Sequence, residues 1–125
     1  MEPSAGVLQG KNLNSPDESR PFENGRLDVV NLDNVTVGRA VFEPGWRWSE
    51  HVKPIAQTDS CEVPHVGYVV SGRMGIRMDD GMEQEFGPDD AFVIAPGHDG
   101  WTVGEEPCVV LDFSGGAEEF AKEGG

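Results

Sequence analysis

Short β-type runs, each broken after a few residues by a turn signal, are what most restricts the fold open to this chain. RLDVVNL (26–32), VTVGRAVFE (35–43), WRWSEHV (46–52), HVGYVVSG (65–72), RMGIRMDDG (73–81), AFVIA (91–95), WTVG (101–104) and PCVVLDF (107–113) carry β-branched or aromatic residues in alternation or in brief apolar runs. Pro44-Gly45, Asp80-Gly81, Pro88-Asp89 and Pro96-Gly97 punctuate them. Asp-Gly is a strong hairpin signal, and it makes acidic MEQEFG (82–87) the return strand of a hairpin. Strands this short, with turns at intervals of about eight to twelve residues, indicate an all-β sandwich or barrel. Gly and Pro make up 26 of the 125 residues, which favours turns over long helices.

A chain of this length fits one domain with one core. Among antiparallel architectures of that size, a jelly roll leaves few strand edges exposed. The expected organisation is an N-terminal arm over residues 1–23, a β-barrel over 24–114 and a tail over 115–125. Pro16-Asp17-Glu18 is suited to starting one helical turn, and Ala117–Lys122 to a brief terminal helix. A net charge of −14 argues against nucleic acid or an anionic membrane as partner. The first residues lack the basic start and apolar run of a signal peptide, and no apolar segment approaches membrane-spanning length. A cytoplasmic protein is expected, with Cys61 and Cys108 reduced and Cys108 packed in an apolar strand.

All three histidines fall between residues 51 and 98, together with Cys61. Scarce imidazoles gathered in one region suggest a metal site, which needs several donors converging from different strands. Strand pleating of WRWSEHV puts Trp46, Trp48 and Glu50 on one face and Arg47, Ser49 and His51 on the other. With His51 inward, the tryptophans face outward, and the apolar patch they form implies a homodimer. KPIAQTDSCEV (53–63) has no period and reads as a loop. Met74, Ile76 and Met78 share one strand face suited to lining a cavity.

Residues 45–101 resemble the cupin superfamily, whose motifs are G-x5-H-x-H-x3,4-E-x6-G and G-x5-P-x-G-x2-H-x3-N. Gly45 with five intervening residues leads to His51, which is similar to the first histidine of motif one. Lys53 stands where the next ligand would, and His65, counted back from Gly72, where the glutamate would. Motif two is similar to the segment from Gly87 through IAPGHDGW, with Pro96 and Gly97 at the turn. His98 arrives two residues before the family's histidine position, at Gly100.

The resemblance implies a cupin-type jelly roll with His51, His65 and His98 as metal ligands. Cys61 is a candidate fourth, thiolate ligand if the strand of His65 extends backwards. A thiolate with imidazoles favours Zn²⁺, while three imidazoles and an open position suit Fe²⁺, Ni²⁺ or Mn²⁺ as well. Trp101 and Arg47 join Met74 and Met78 as candidate pocket residues, and Asp99 is a candidate carboxylate orienting an imidazole. The function implied is a metal-dependent enzyme acting on a small polar molecule, by oxygenase or isomerase-type chemistry. The alternatives are a non-catalytic ligand-binding or sensing cupin with a structural metal, and a metal-free dimeric scaffold.

Overall fold

The computed structural model describes residues 7–114. Nine strands form two antiparallel sheets. The strands are β1 (Glu18–Phe22), β2 (Gly25–Asn31), β3 (Thr36–Phe42), β4 (His65–Ser71), β5 (Met74–Met78), β6 (Glu83–Phe86), β7 (Ala91–Ile94), β8 (His98–Thr102) and β9 (Cys108–Asp112). The larger sheet runs β1-β2-β3-β9-β4-β7 and the smaller β6-β5-β8. No strand pair joins the two sheets among the described residues, so the expected closed barrel is corrected to an open two-sheet jelly roll. The all-β class holds. The expected helix at Ala117–Lys122 lies outside the described residues.

Alternation explains how the sheets face each other. Leu27 and Val29 of β2, Ala40 and Phe42 of β3, Val69 of β4 and Val110 of β9 point into one core. They meet Met74 and Ile76 of β5, and Phe92 and Ile94 of β7 close the far side. The Asp80-Gly81 hairpin forms as its sequence demands, with Gly81 at φ 96° joining β5 to β6. On the outer face of β2, Asp28 is buried yet held by Ser19, by Arg26 at 3.1 Å and by Arg39 at 3.2 Å. Arg39 also donates to the carbonyl of Leu13, which fastens the N-terminal segment over this half of the sheet. Residues 18–22 form an edge strand on β2, not the helical turn that Pro16-Asp17-Glu18 suggested.

Residues 46–56 depart most from expectation. Trp48–His51 is a single helical turn, α1, followed directly by a second, α2 (Lys53–Ala56). Asp99 causes this: its carboxylate accepts from the Ser49 amide at 3.0 Å and the Ser49 hydroxyl at 2.9 Å. A carboxylate satisfying a first-turn amide stabilises a helix start. With helical geometry, Trp46 and Trp48 turn inward and are 4% and 2% exposed, and Trp46 stacks on Phe42 at 4.1 Å between centroids. The outward tryptophan patch, and the argument for a homodimer built on it, are thereby withdrawn.

Gly72 passes the chain from one sheet to the other at φ 75°, where an added Cβ would lie 2.1 Å from the Pro107 carbonyl oxygen. Gly104 has a similar φ of 88°, yet nothing lies within 4 Å of such a Cβ. Gly104→Ala should cost about 1 kcal/mol from backbone strain alone, and Gly72→Ala about 2–4 kcal/mol because backbone must also move. Urea unfolding of the two variants checks this; equal losses would remove the steric account of the crossover.

Candidate metal centre

Cys61, His65 and His98 bring three potential metal donors within 4.8 Å of one another. Each reaches the cluster by a different route. His98 is the first residue of β8, in the smaller sheet. Cys61 lies in the segment after α2 and is bound to His98 through the backbone: its N–H donates to the His98 carbonyl at 2.7 Å, and its own carbonyl accepts from Gly97 at 2.8 Å and His98 at 3.2 Å. His65 opens β4 in the larger sheet and faces them across the core, its ring 5.3 Å from that of His98 and edge-on to it.

Hydrogen bonds outside the cluster set the imidazole tautomers. His65 Nδ1 donates to Asp112 Oδ2 at 2.6 Å, and His98 Nδ1 donates to the Ala95 carbonyl at 2.9 Å. Both rings therefore keep the Nε2 lone pair for the cluster when neutral. His65 Nε2 is 3.8 Å from Cys61 Sγ. Donors on a tetrahedral zinc ion with ordinary Zn–N and Zn–S bonds are roughly 3.3–3.6 Å apart. The S–N pair is thus close to ligating separation, and the residue types fit a borderline-soft divalent ion.

The electrostatics are those of buried donors. Burial pushes the Cys61 thiol up to about 12, with further increments from the charges of Glu62, Asp99 and Asp112, against the lowering effect of a hydrogen bond involving the Val63 backbone. Burial also pushes His98 down to about 4. Desolvation raises the Asp112 carboxyl, but the hydrogen bond and charge of His65, together with two bonds from Ser114, outweigh it and hold the group below the usual carboxylate value. Asp112 thus stays ionised as the acceptor for His65.

His65, His98 and Asp112 form one end of an internal cavity of ≈ 50 Å³. The rest of its wall is apolar: Leu27, Ala40, Phe42, Trp46, Trp48, Met74, Ile76, Phe92, Ile94 and Val110 line it, with Gly100. One water needs about 10–15 Å³ of such space, so the cavity admits a molecule of several heavy atoms. His65 is the most exposed of the lining residues.

Several candidate residues lie elsewhere. His51 is outside the cluster: it closes α1, and its Nδ1 accepts from the Arg47 amide at 3.0 Å, so its neutral ring carries the proton on Nε2. The helical turn, replacing the expected strand, removes it from the ligand set. Met74 lines the cavity, whereas Met78 packs against the core outside it. Trp101 is not a pocket residue, because alternation along β8 puts it with Asp99 on the outer face, its ring across Gly75. Arg47 lies above that ring at 4.7 Å and faces Asp99 at 3.5 Å, away from the cavity. Asp99 orients no imidazole; it holds Ser49. Asp112 was missed by the sequence reading, although β9 alternation sets it on the core face with Cys108 and Val110.

No protein-family model and no curated protein sequence matches the chain. Solved structures do match. The polyketide cyclase RemF of Streptomyces resistomycificus superposes with a TM-score of 0.61 at 18% identity, over 86% of this chain and 78% of that one. A cupin-superfamily sugar phosphate isomerase of Silicibacter pomeroyi gives 0.60 at 18%, over 84% and 74%. Oxalate decarboxylase of Lactobacillus farciminis, in a formate complex, gives 0.58 at 18% over 80% of this chain, which spans only 31% of that enzyme. The chain has a cupin fold. At such identities the likeness concerns the backbone, and in this chain a thiol and two imidazoles meet at the cluster.

The protein's stability should carry the imprint of His98. Its folded value of about 4 lies below the ordinary 6.5, so on acidification the unfolded chain takes up the proton first. Metal-free protein should lose stability as pH falls from about 6.5 to about 4, by up to roughly 3 kcal/mol from this group. Urea unfolding across that range, with chelator present, should show a shallower slope for His98→Gln; an unchanged slope would contradict the assignment.

Proposed function

We propose that this cupin-fold protein binds one divalent metal ion through Cys61, His65 and His98 and is an enzyme acting on a small molecule admitted to the adjoining cavity. The observation that carries the reading is the convergence of three donors, two of them imidazoles whose lone pairs are directed by hydrogen bonds outside the cluster. A thiolate with two imidazoles favours Zn²⁺; Fe²⁺, Ni²⁺ and Mn²⁺ prefer fewer soft donors. A structural zinc site has four protein donors. Among the described residues the group holds three, which favours an ion with a position left for a ligand.

Each residue has a defined part. Asp112 keeps the proton on His65 Nδ1, and Ala95 keeps that of His98, so both Nε2 atoms present lone pairs. Cys61 gives up its proton on ligation, because a thiol at about 12 is otherwise neutral. Ser114 donates through its amide at 2.9 Å and its hydroxyl at 2.6 Å to the second oxygen of Asp112, which fixes the carboxylate. The two imidazoles line the cavity and the thiol does not, so a ligand approaches from the imidazole side. The apolar wall excludes bulk water there. A bound divalent ion supplies Lewis acidity toward an oxygen of such a ligand. The fold is shared with a decarboxylase, a cyclase and an isomerase, and it selects none of these reactions.

Elemental analysis should find about one divalent ion per chain in the purified protein. Cys61→Ser, His65→Ala and His98→Ala should each lose it, while His51→Ala keeps it; equal content in all four variants would reject the site. Asp112→Asn should weaken metal affinity about 10–100-fold without changing the number of ions bound. Competition with a chromophoric chelator measures this, and an unchanged affinity would remove Asp112 from the centre.

A further inference from the structure

Strands β1 and β7 end the larger sheet, and β6 and β8 the smaller. An uncovered strand edge is a template for pairing with another chain, and native sequences blunt it with charges, proline or a covering segment. β1 carries Glu18, Arg20 and Pro21, and β6 carries Glu83 and Glu85. β8 is covered: Arg47 bridges to Trp101, Cys61 to His98, and the Thr102 amide donates to the Trp46 carbonyl. β7 differs from all three. It reads Ala91-Phe92-Val93-Ile94, with neither charge nor proline.

The register shows which backbone groups its free side presents. His65 pairs with Ile94 and Gly67 with Phe92, and the Val69 amide donates to the Asp90 carbonyl in the same register. Hydrogen-bonded pairs alternate with non-bonded ones along an antiparallel ladder. Phe92 and Ile94 therefore bond to β4, while the amides and carbonyls of Ala91 and Val93 point away from it. Among the described residues those groups have no backbone partner. Val93 is 78% exposed, and Val66, opposite it on the outer face of the sheet, 46%. Bare main-chain groups thus adjoin an exposed apolar pair.

We propose that β7 pairs with β7 of a second copy of this chain, antiparallel about a two-fold axis at Phe92, making one continuous sheet of the two larger sheets. Ala91 then faces the partner's Val93, and Val93 the partner's Ala91, in four backbone hydrogen bonds that use every group left bare. The edge is complementary to itself because these residues flank Phe92 symmetrically. Charge favours this direction despite the net −14 of each copy. Asp89 and Asp90 of the two copies lie at opposite ends of the antiparallel contact, whereas a parallel, in-register one would set like carboxylates side by side. Phe92 and Ile94 stay on the core side, where they line the cavity, and Val66 and Val93 form an apolar strip across the seam. This surface is distinct from the tryptophan patch expected from sequence, and it uses none of the metal donors.

Sedimentation of the full chain from about 5 to about 500 µM should show monomer giving way to dimer, as a small interface of modest affinity requires. Over that range, amide hydrogen exchange resolved by NMR should slow several-fold at Ala91 and Val93, and change least at Phe92 and Ile94. Val93→Pro removes one outward donor per copy and no bond within the chain, a placement edge strands accept. It should weaken association at least tenfold, since two of the four bonds are lost. Val93→Thr keeps the donor and should weaken association less than threefold. The exchange pattern of the unaltered chain decides the question even if Val93→Pro fails to fold. A monomer throughout, a dimer whose protection lies outside β7, or a folded Val93→Pro that associates like the parent would overturn the proposal.

Discussion

The pairing of Cys61 with His98 is the constraint on which the rest of the centre depends. Two backbone bonds between these residues, and a third from Gly97, lay the segment after α2 along the first residue of β8. Backbone pairing of this kind fixes side-chain positions more firmly than contacts between flexible side chains do. The thiol and one imidazole are therefore presented together. Only three residues separate Cys61 from His65, and that short tether carries the chain from the smaller sheet to the start of β4 in the larger. The cluster is a staple between two sheets that share no strand pair among the described residues.

What surrounds the cluster makes it suited to chemistry rather than merely compact. Ionised Asp112, itself held by Ser114, and the Ala95 carbonyl fix the two imidazole tautomers from behind. In front lies an apolar hollow in which polar interactions are strengthened by the lack of competing water. In such a setting the raised Cys61 thiol keeps its proton until an ion replaces it, whereas the lowered His98 imidazole is already neutral with Nε2 free. The same burial that makes the empty arrangement sensitive to acid would make a bound ion release protons as it enters.

Much of the strand pattern was legible because pleating leaves a period of two, and Gly and Pro mark where it stops. The core faces of β2, β3, β5 and β9 follow from that period. Residues 46–52 were not legible. A four-residue helical turn is too short to show a helical period, and WRWSEH alternates well enough to mimic a strand. The helix start is satisfied by Asp99, fifty positions away, which no local reading reveals. That one misreading turned Trp46 and Trp48 outward, while His51 entered the expected ligand set through the motif spacing that starts at Gly45. Cys61 and Asp112 were harder for another reason: one is placed by an isolated bridge, and the other differs from its apolar neighbours on β9 only by facing inward as a carboxylate.

A sulfur and two imidazole nitrogens must grip the same ion for the cluster to be a metal centre. X-ray absorption at the zinc edge of the loaded protein measures that directly. The expected signal is one sulfur scatterer at about 2.3 Å and two imidazole nitrogens at about 2.0–2.1 Å, with the sulfur shell lost in Cys61→Ser. A first shell of nitrogen and oxygen alone, or a spectrum identical in Cys61→Ser, would contradict it.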